Sequence, residues 1–269
     1  MKFLKSLFFY LGLFIIIIPT VFVFYWMISG GFKTQLQIIS SPPVFFFEPN
    51  IKNYIEVITQ HNFGLYMWNS FVVAALSTLV ALLVGIPAGY SISRFRMRTS
   101  VFLLTVSRMV PFVSYLMPWF ITFRRWGLID SYTGLTLAHL IVNMPIVVLL
   151  MSTFFEEVPY ELEEAAEIDG ASKVNVFKYV SLPLARNGVI TSAILSFVFS
   201  WNQFLFSLIL SGPRTQTVPI AVFNFMTYEE IAWGGLLAAA TMITLPVLIL
   251  TIFIHKYIVR GLTLGALKG

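Results

Sequence analysis

EEVPYELEEAAEIDGASKVNVFKYVSLPLAR, residues 156–186, is a polar interlude between two long apolar runs. It holds seven of the twelve acids of the chain (Glu156, Glu157, Glu161, Glu163, Glu164, Glu167 and Asp169), so it belongs in water rather than in hydrocarbon. Its pattern predicts two short helices. Pro159 suits a first helical position, where a missing N–H is harmless, and the acids after it favour the positive end of the helix dipole. Leu162, Ala165 and Ala166 share one face. Gly170 is placed to close the first helix in the left-handed conformation. Ser172 is placed to cap a second helix, with Val174 and Phe177 on one face, ending before Pro183.

The rest of the chain sets the context. Of 269 residues, 58% are hydrophobic and only 11% charged, with 27 Phe, which excludes an ordinary soluble domain. Apolar runs of about twenty residues each match a hydrocarbon core of roughly 30 Å. Six such spans are expected, at residues 7–29, 68–91, 101–121, 132–155, 188–210 and 233–258. The first is too long for a cleaved signal core and is read as a retained helix. Residues 30–67 read as a loop, with 53–58 as a short interfacial helix. Pro111 and Pro118 are expected to kink the third span. No repeat of 20 to 50 residues is present.

Six spans place both termini on one side. Eleven of the seventeen basic residues lie in the N-terminus, the 94–98 loop, the 156–187 loop and the C-terminal end from Lys256 onward, against five in the opposite loops. By the positive-inside rule, both termini and the acidic loop are expected in the cytoplasm. The net charge of +5 therefore reads as topology rather than as a nucleic-acid surface. Cysteine is absent, so disulfides and thiolate sites are excluded. No G-x-x-x-x-G-K-[ST], H-E-x-x-H or G-x-S-x-G occurs, and His61, His139 and His255 form no evident metal cluster. Catalytic residues and metal ligands are thus expected to be absent.

Glu164-Ala165-Ala166, Gly170 and Leu182-Pro183 stand at the spacing EAA-x3-G-x9-V-x-LP, which resembles the EAA loop of ABC importer permeases, with Val180 where Ile is commoner. The resemblance extends over essentially the whole chain and is closest to carbohydrate importers of the MalG type. WNSFVVA (68–74), SRMVP (107–111), WNQFLFSLIL (201–210, with Gln203 for the commoner acid) and GLTLGALKG (261–269) carry it. The fold so implied is an all-α integral membrane protein with six transmembrane helices, of the type I importer fold, with cytoplasmic coupling helices. Residues 1–269 are expected to form a single permease domain, in a bacterial cytoplasmic (inner) membrane.

The implied function is alternating access driven by ATP hydrolysis elsewhere. The implied partners are a second, MalF-like permease in a heterodimer, two ATPase subunits carrying ATP and Mg, an extracytoplasmic solute-binding protein and the lipid bilayer. This chain binds no cofactor on that view. Coupling falls to Glu163, Glu164, Ala165, Ala166, Asp169, Gly170, Ala171, Leu182 and Pro183, with Glu164 as the polar anchor. Gly261, Leu262, Thr263, Gly265 and Lys268 are implied tail contacts to the ATPase. Residues 215–230 resemble a loop that relatives direct toward the binding protein; a plain surface loop is the alternative.

Polar groups within spans are the candidates for the translocation path: Arg108, Asn143, Asn202 and Gln203. Arg108 stands about 11 Å into its span and has snorkelling or helix pairing as alternatives. The other three have interhelical hydrogen bonding as theirs. Two further function classes stay open: a permease for a non-sugar solute and an ion-coupled carrier. The carrier would want carboxylates within the spans, and none of the twelve acids lies in one.

Overall fold

The computed structural model describes residues 2–226 and 231–266, with side chains described for most of them up to residue 253. The chain is helical throughout: α1 (Lys2–Gly31), α2 (Gln35–Ile39), α3 (Lys52–Gln60), α4 (Phe63–Arg94), α5 (Arg98–Met109), α6 (Val113–Arg125), α7 (Tyr132–Glu156), α8 (Tyr160–Ile168), α9 (Lys173–Val176), α10 (Leu182–Leu184), α11 (Arg186–Trp201), α12 (Leu205–Leu210), α13 (Val218–Ala221) and α14 (Trp233–Ala266). Among the described residues the only β pairing is the isolated bridge Met226–Ile231.

Four helical segments are long and apolar enough to cross a membrane: Phe8–Gly31, Phe63–Arg94, Tyr132–Glu156 and Trp233–Phe253. Two bent pairs bring the number to six if each is counted as one span. The first is α5 with α6, which meet at 93°. The kinked third span expected at 101–121 is thus two helices broken at 110–112. Val110 is extended because it precedes Pro111, and that ends α5. Pro118 sits inside α6 without breaking it. The second pair joins the Lys173–Leu184 run to α11 at 74°. The expected fifth span, 188–210, is likewise interrupted, since α11 stops at Trp201 and α12 resumes at Leu205.

The chain divides into two units. One comprises residues 1–65 with 221–245. In it Thr34 caps α2 reciprocally with Gln37, and Asn53 Nδ2 donates to the carbonyls of Gly31 and Lys33 at 2.9 and 2.8 Å. The short helix expected at 53–58 is present as α3. Lys33 is buried with its amine 4.0 Å from the Trp26 ring and 4.9 Å from Phe47, and burial holds that amine below the ordinary lysine value.

The other unit comprises residues 66–220 and those from 246 onward. Its central helix is α7, which buries Leu135, Ala138, Val147, Met151 and Phe155 completely. One core gathers Val73, Phe123, Leu135, Ala138, Phe206 and Leu210; a second gathers Ala81, Val147, Met151, Phe155, Val158 and Ala185. Between membrane helices the hydrophobic effect offers little attraction, so close packing must hold them together. Gly85 and Gly89, four residues apart on α4, meet that need. A Cβ on Gly89 would lie 2.7 Å from Met151 Cβ and 2.9 Å from the Ser152 nitrogen of α7.

Candidate coupling loop and buried polar seam

Between α7 and α11 the polar stretch folds much as its local chemistry predicts. Pro159 is the N-cap of α8 rather than its first residue. At the other end Gly170 has φ +89°, its N–H bonds to Glu167 O, and the Ala171 N–H reaches back to Ala166 O, each at 3.0 Å. That pair is a Schellman closure, which needs the left-handed residue. Ser172 caps α9 by accepting from the Asn175 N–H. Two expectations fail here. Val176 and Phe177 face the protein while Val174 is exposed. The helical run also continues through Pro183 instead of stopping before it. Residues Phe177–Ser181 form a π turn in which the Leu182 N–H bonds to Phe177 O, a wider ring that accommodates a proline at the start of α10.

The loop is tied to its own membrane helix by one buried carboxylate. Glu163 is 3% exposed. Arg94, the last residue of α4, donates to it from Nε at 2.8 and 2.9 Å and from Nη2 at 2.6 Å. Tyr90 OH and Ser181 Oγ donate at 3.1 and 2.7 Å. Burial alone would raise the Glu163 carboxyl. The bonds from Arg94 and Ser181 and the Arg94 charge outweigh it and hold the group below the usual carboxylate range. Tyr90, Phe155 and Phe177 pack edge-on or tilted against one another beside this cluster, at centroid distances of 4.9–6.1 Å. Glu164 is exposed and takes no part in it.

The opposite side of the loop is bare. Leu162, Glu164, Ala165, Ile168, Asp169, Gly170, Val174 and Tyr179 are exposed, Ile168 by 86% and Val174 by 72%. Ala166, Ala171 and Leu182 are half-buried, and Pro183 is exposed. Of these, Leu162 and Ile168 lie on α8, between α7 and the bent Lys173–Leu184 run.

The candidate path residues are dispersed. Arg108 is exposed on the last turn of α5. Asn143 is wholly buried, donates to Ser77 Oγ at 3.1 Å and leaves its Oδ1 without a partner. Asn202 is exposed and Gln203 half-buried, both in the break between α11 and α12. Asn202 Nδ2 donates to Val198 O at 2.8 Å, and Gln203 Oε1 accepts from the Leu205 N–H at 3.2 Å. No hydrogen bond among the described residues joins Arg108 to the other three.

Two constellations were not foreseen. Asp130, in the loop before α7, accepts from the N–H groups of Gly212 and Thr215 at 3.2 and 2.9 Å, from Thr215 Oγ1 at 2.8 Å and from Arg214 Nε at 3.2 Å. Burial would raise this carboxyl, but the bonds from Thr215 and Arg214 prevail and lower it. The second is the buried seam through His139, whose Nδ1 lies 2.7 Å from Ser200 Oγ and whose Nε2 lies 3.3 Å from Ser207 Oγ. The only sequence signal for either was a polar residue in an apolar neighbourhood. Of the tail candidates, the backbone of Gly261, Leu262, Thr263 and Gly265 continues α14 instead of forming a separate tail, and Lys268 lies outside the described residues. So do Thr227–Glu230 of the 215–230 loop.

Comparison with known proteins accords with this architecture. The chain is 32% identical to the sulfoquinovosyl glycerol transport system permease protein SmoH of Agrobacterium fabrum, over 95% of this chain and 91% of that one. It is 32% identical to the trehalose/maltose transport system permease protein MalG of Thermococcus litoralis, over 99% and 98%. A chain from the crystal structure of a bacterial ABC transporter involved in import of the acidic polysaccharide alginate superposes with a TM-score of 0.78 at 19% identity, covering 94% of this chain and 96% of that one, which establishes the shared fold. Residues 81–264 match the model for the inner membrane component of binding-protein-dependent transport systems. With its apolar helices, its inter-span loop anchored through Glu163 and this match over most of its length, the chain belongs to the family of binding-protein-dependent transport system inner membrane components, the membrane-spanning permease subunits of ABC importers.

Proposed function

We propose that this chain forms half of the translocation pathway for a carbohydrate delivered by a solute-binding protein. In this reading it pairs with a second, MalF-like permease, and residues 156–187 dock on a separate ATPase that holds ATP and Mg. Both termini are then cytoplasmic. The observation that carries the coupling role is the two-sidedness of the loop. One side is locked to α4 through Glu163 and Arg94, and the other presents exposed Leu162, Ile168 and Val174. A docked subunit covering those side chains would move the loop. The buried ion pair and the packed rings of Tyr90, Phe155 and Phe177 would pass that motion to α4 and α7. Glu164 and Asp169 supply charge at the dock, and the small Ala165 and Ala166 let a partner helix come close. The sugar assignment draws on the sugar transport for which the relatives above are named and on the WNQF and GLTLGALKG segments.

Mild-detergent purification of the tagged chain from its native membrane, with co-purifying proteins identified by mass, tests the assembly. Recovery of a P-loop ATPase and a second permease is expected. Stimulation of that ATPase by the cognate binding protein loaded with a sugar, and not with other solutes, tests the substrate class. Recovery of the chain alone, transporting in vesicles without ATP, would overturn the proposal in favour of an ion-coupled carrier.

A further inference from the structure

The fifth span is not continuous, and its break is unusually placed. From Arg186 to Trp201 α11 has 16 residues, about 24 Å of helix, so Asn202–Phe204 lies within a hydrocarbon layer of roughly 30 Å. Non-helical backbone at that depth is tolerated only inside protein or against a water-filled cavity. Asn202 is exposed on this chain, so the break faces either a partner subunit or a water-filled path. Something must also hold the two halves in one geometry, because α12 has only six residues and cannot stand alone.

His139, midway between Leu135 and Asn143 on buried α7, is placed to do so. It is 2% exposed. Its Nδ1 lies 2.7 Å from Ser200 Oγ, on the last turn of α11, and its Nε2 lies 3.3 Å from Ser207 Oγ, on α12. One ring therefore bridges both sides of the break. Asn143 Nδ2 donates to Ser77 Oγ at 3.1 Å, and the one Ser77 hydroxyl proton has both Ser200 Oγ at 2.9 Å and Ala74 O at 3.2 Å as acceptors. In either tautomer of the neutral ring one nitrogen donates to a serine hydroxyl and the other accepts from one, so both contacts are made. Both ring nitrogens are used, and each bond ends on a different helix of the broken span. A histidine serving only as core filler would have no need of hydroxyls on both sides.

We propose that His139 is a positioning residue that staples the two halves of the broken fifth span, and so fixes how Asn202 and Gln203 face a polyhydroxylated solute in the translocation path. This rests on the permease reading above, and the experiment separates the two. The chain has no cysteine, so Asn202→Cys introduces the only thiol in it. The probe is a hydrophilic maleimide applied to the purified complex with its ATPase, and the modification rate of this chain is read on a gel. With His139 present, the thiol is expected to react. His139→Leu, which keeps bulk and removes both bonds, should change that rate by about fivefold or more, the scale of one lost buried hydrogen bond. His139→Gln, which retains one acceptor and one donor, should restore much of the original rate. Ser207→Ala removes a single arm of the staple with little risk to folding, and should shift the rate in the same direction as His139→Leu.

Equal rates with His139, His139→Leu and Ser207→Ala would overturn the staple while leaving the permease reading intact. So would a His139→Gln protein that behaves as His139→Leu does. An unreactive thiol with His139 present, in a complex that still retains its ATPase, would overturn the placement of the break in the path. Loss of the ATPase from the complex carrying neither His139 nor Ser207 substitution would instead count against the assembly proposed above.

Discussion

Removal of the Glu163 carboxylate should detach the coupling loop from its own membrane helix. The two side chains of the ion pair are 11% and 4% exposed, so solvent screens it little. Glu163→Ala strands the Arg94 guanidinium and also leaves Tyr90 and Ser181 without their acceptor. Breaking a buried, hydrogen-bonded pair from one side costs about 3–5 kcal/mol. Part of that is recovered if the loop lifts and Arg94 finds water, so a net loss of about 3 kcal/mol of local stability is expected. At about 1.4 kcal/mol per decade, that corresponds to roughly a hundredfold drop in protection of the loop amides. Hydrogen exchange on the intact complex measures this directly: peptides covering 160–184 should exchange faster while those from α7 do not change. Arg94→Met combined with Glu163→Met should be far less damaging than the sum of the two single changes, because the penalty lies in the unpaired charge. A loss of loop protection below about fivefold, or strict additivity of the pair, would refute the anchor.

The same carboxylate sets a pH dependence. Its folded value is depressed, so its contribution is complete above the unfolded carboxylate value of about 4.3 and is lost as pH falls through the lower folded value. Loop protection should therefore be flat from neutral pH to about 5 and collapse only in stronger acid. Asp130 has the same sign, and Asp130→Asn should loosen residues 212–215 by about 1–3 kcal/mol, seen as faster exchange or proteolysis of that loop with α7 unaffected. Gly170 has open space around its Cβ direction but φ +89°, so Gly170→Val should cost about 1–2 kcal/mol through backbone strain alone. Gly170→Asn should cost less. In both, membrane insertion should persist while stimulation of the ATPase falls, and loss of insertion would contradict the assignment. Gly89→Leu should separate α4 from α7, because the Ser152 nitrogen and Val148 carbonyl it would meet are backbone and cannot yield. A marked fall in the melting temperature of the purified complex checks it.

What the residues alone determined is what depends on near neighbours. The apolar runs set the spans, because hydrocarbon thickness is a length and nothing more. The acids after Pro159, the left-handed turn at Gly170 and the cap at Ser172 follow from backbone groups within a few positions, and each is found where local chemistry puts it. What only the tertiary structure decided involves partners far apart in the chain. Arg94 reads as one more positive-inside charge until the fold brings it to Glu163, 69 residues on. His139 is a lone polar residue in an apolar run until Ser200 and Ser207, 61 and 68 residues away, meet its two nitrogens. Pro111 announces a disturbance, but the 93° between α5 and α6 is set by how each packs, and the π turn that carries the chain through Pro183 places Ser181 against Glu163. The physical reason is the same in each case. A helix or a cap is stabilised by bonds closed within one turn, whereas a buried charge or imidazole has no defined state until the fold supplies its partners.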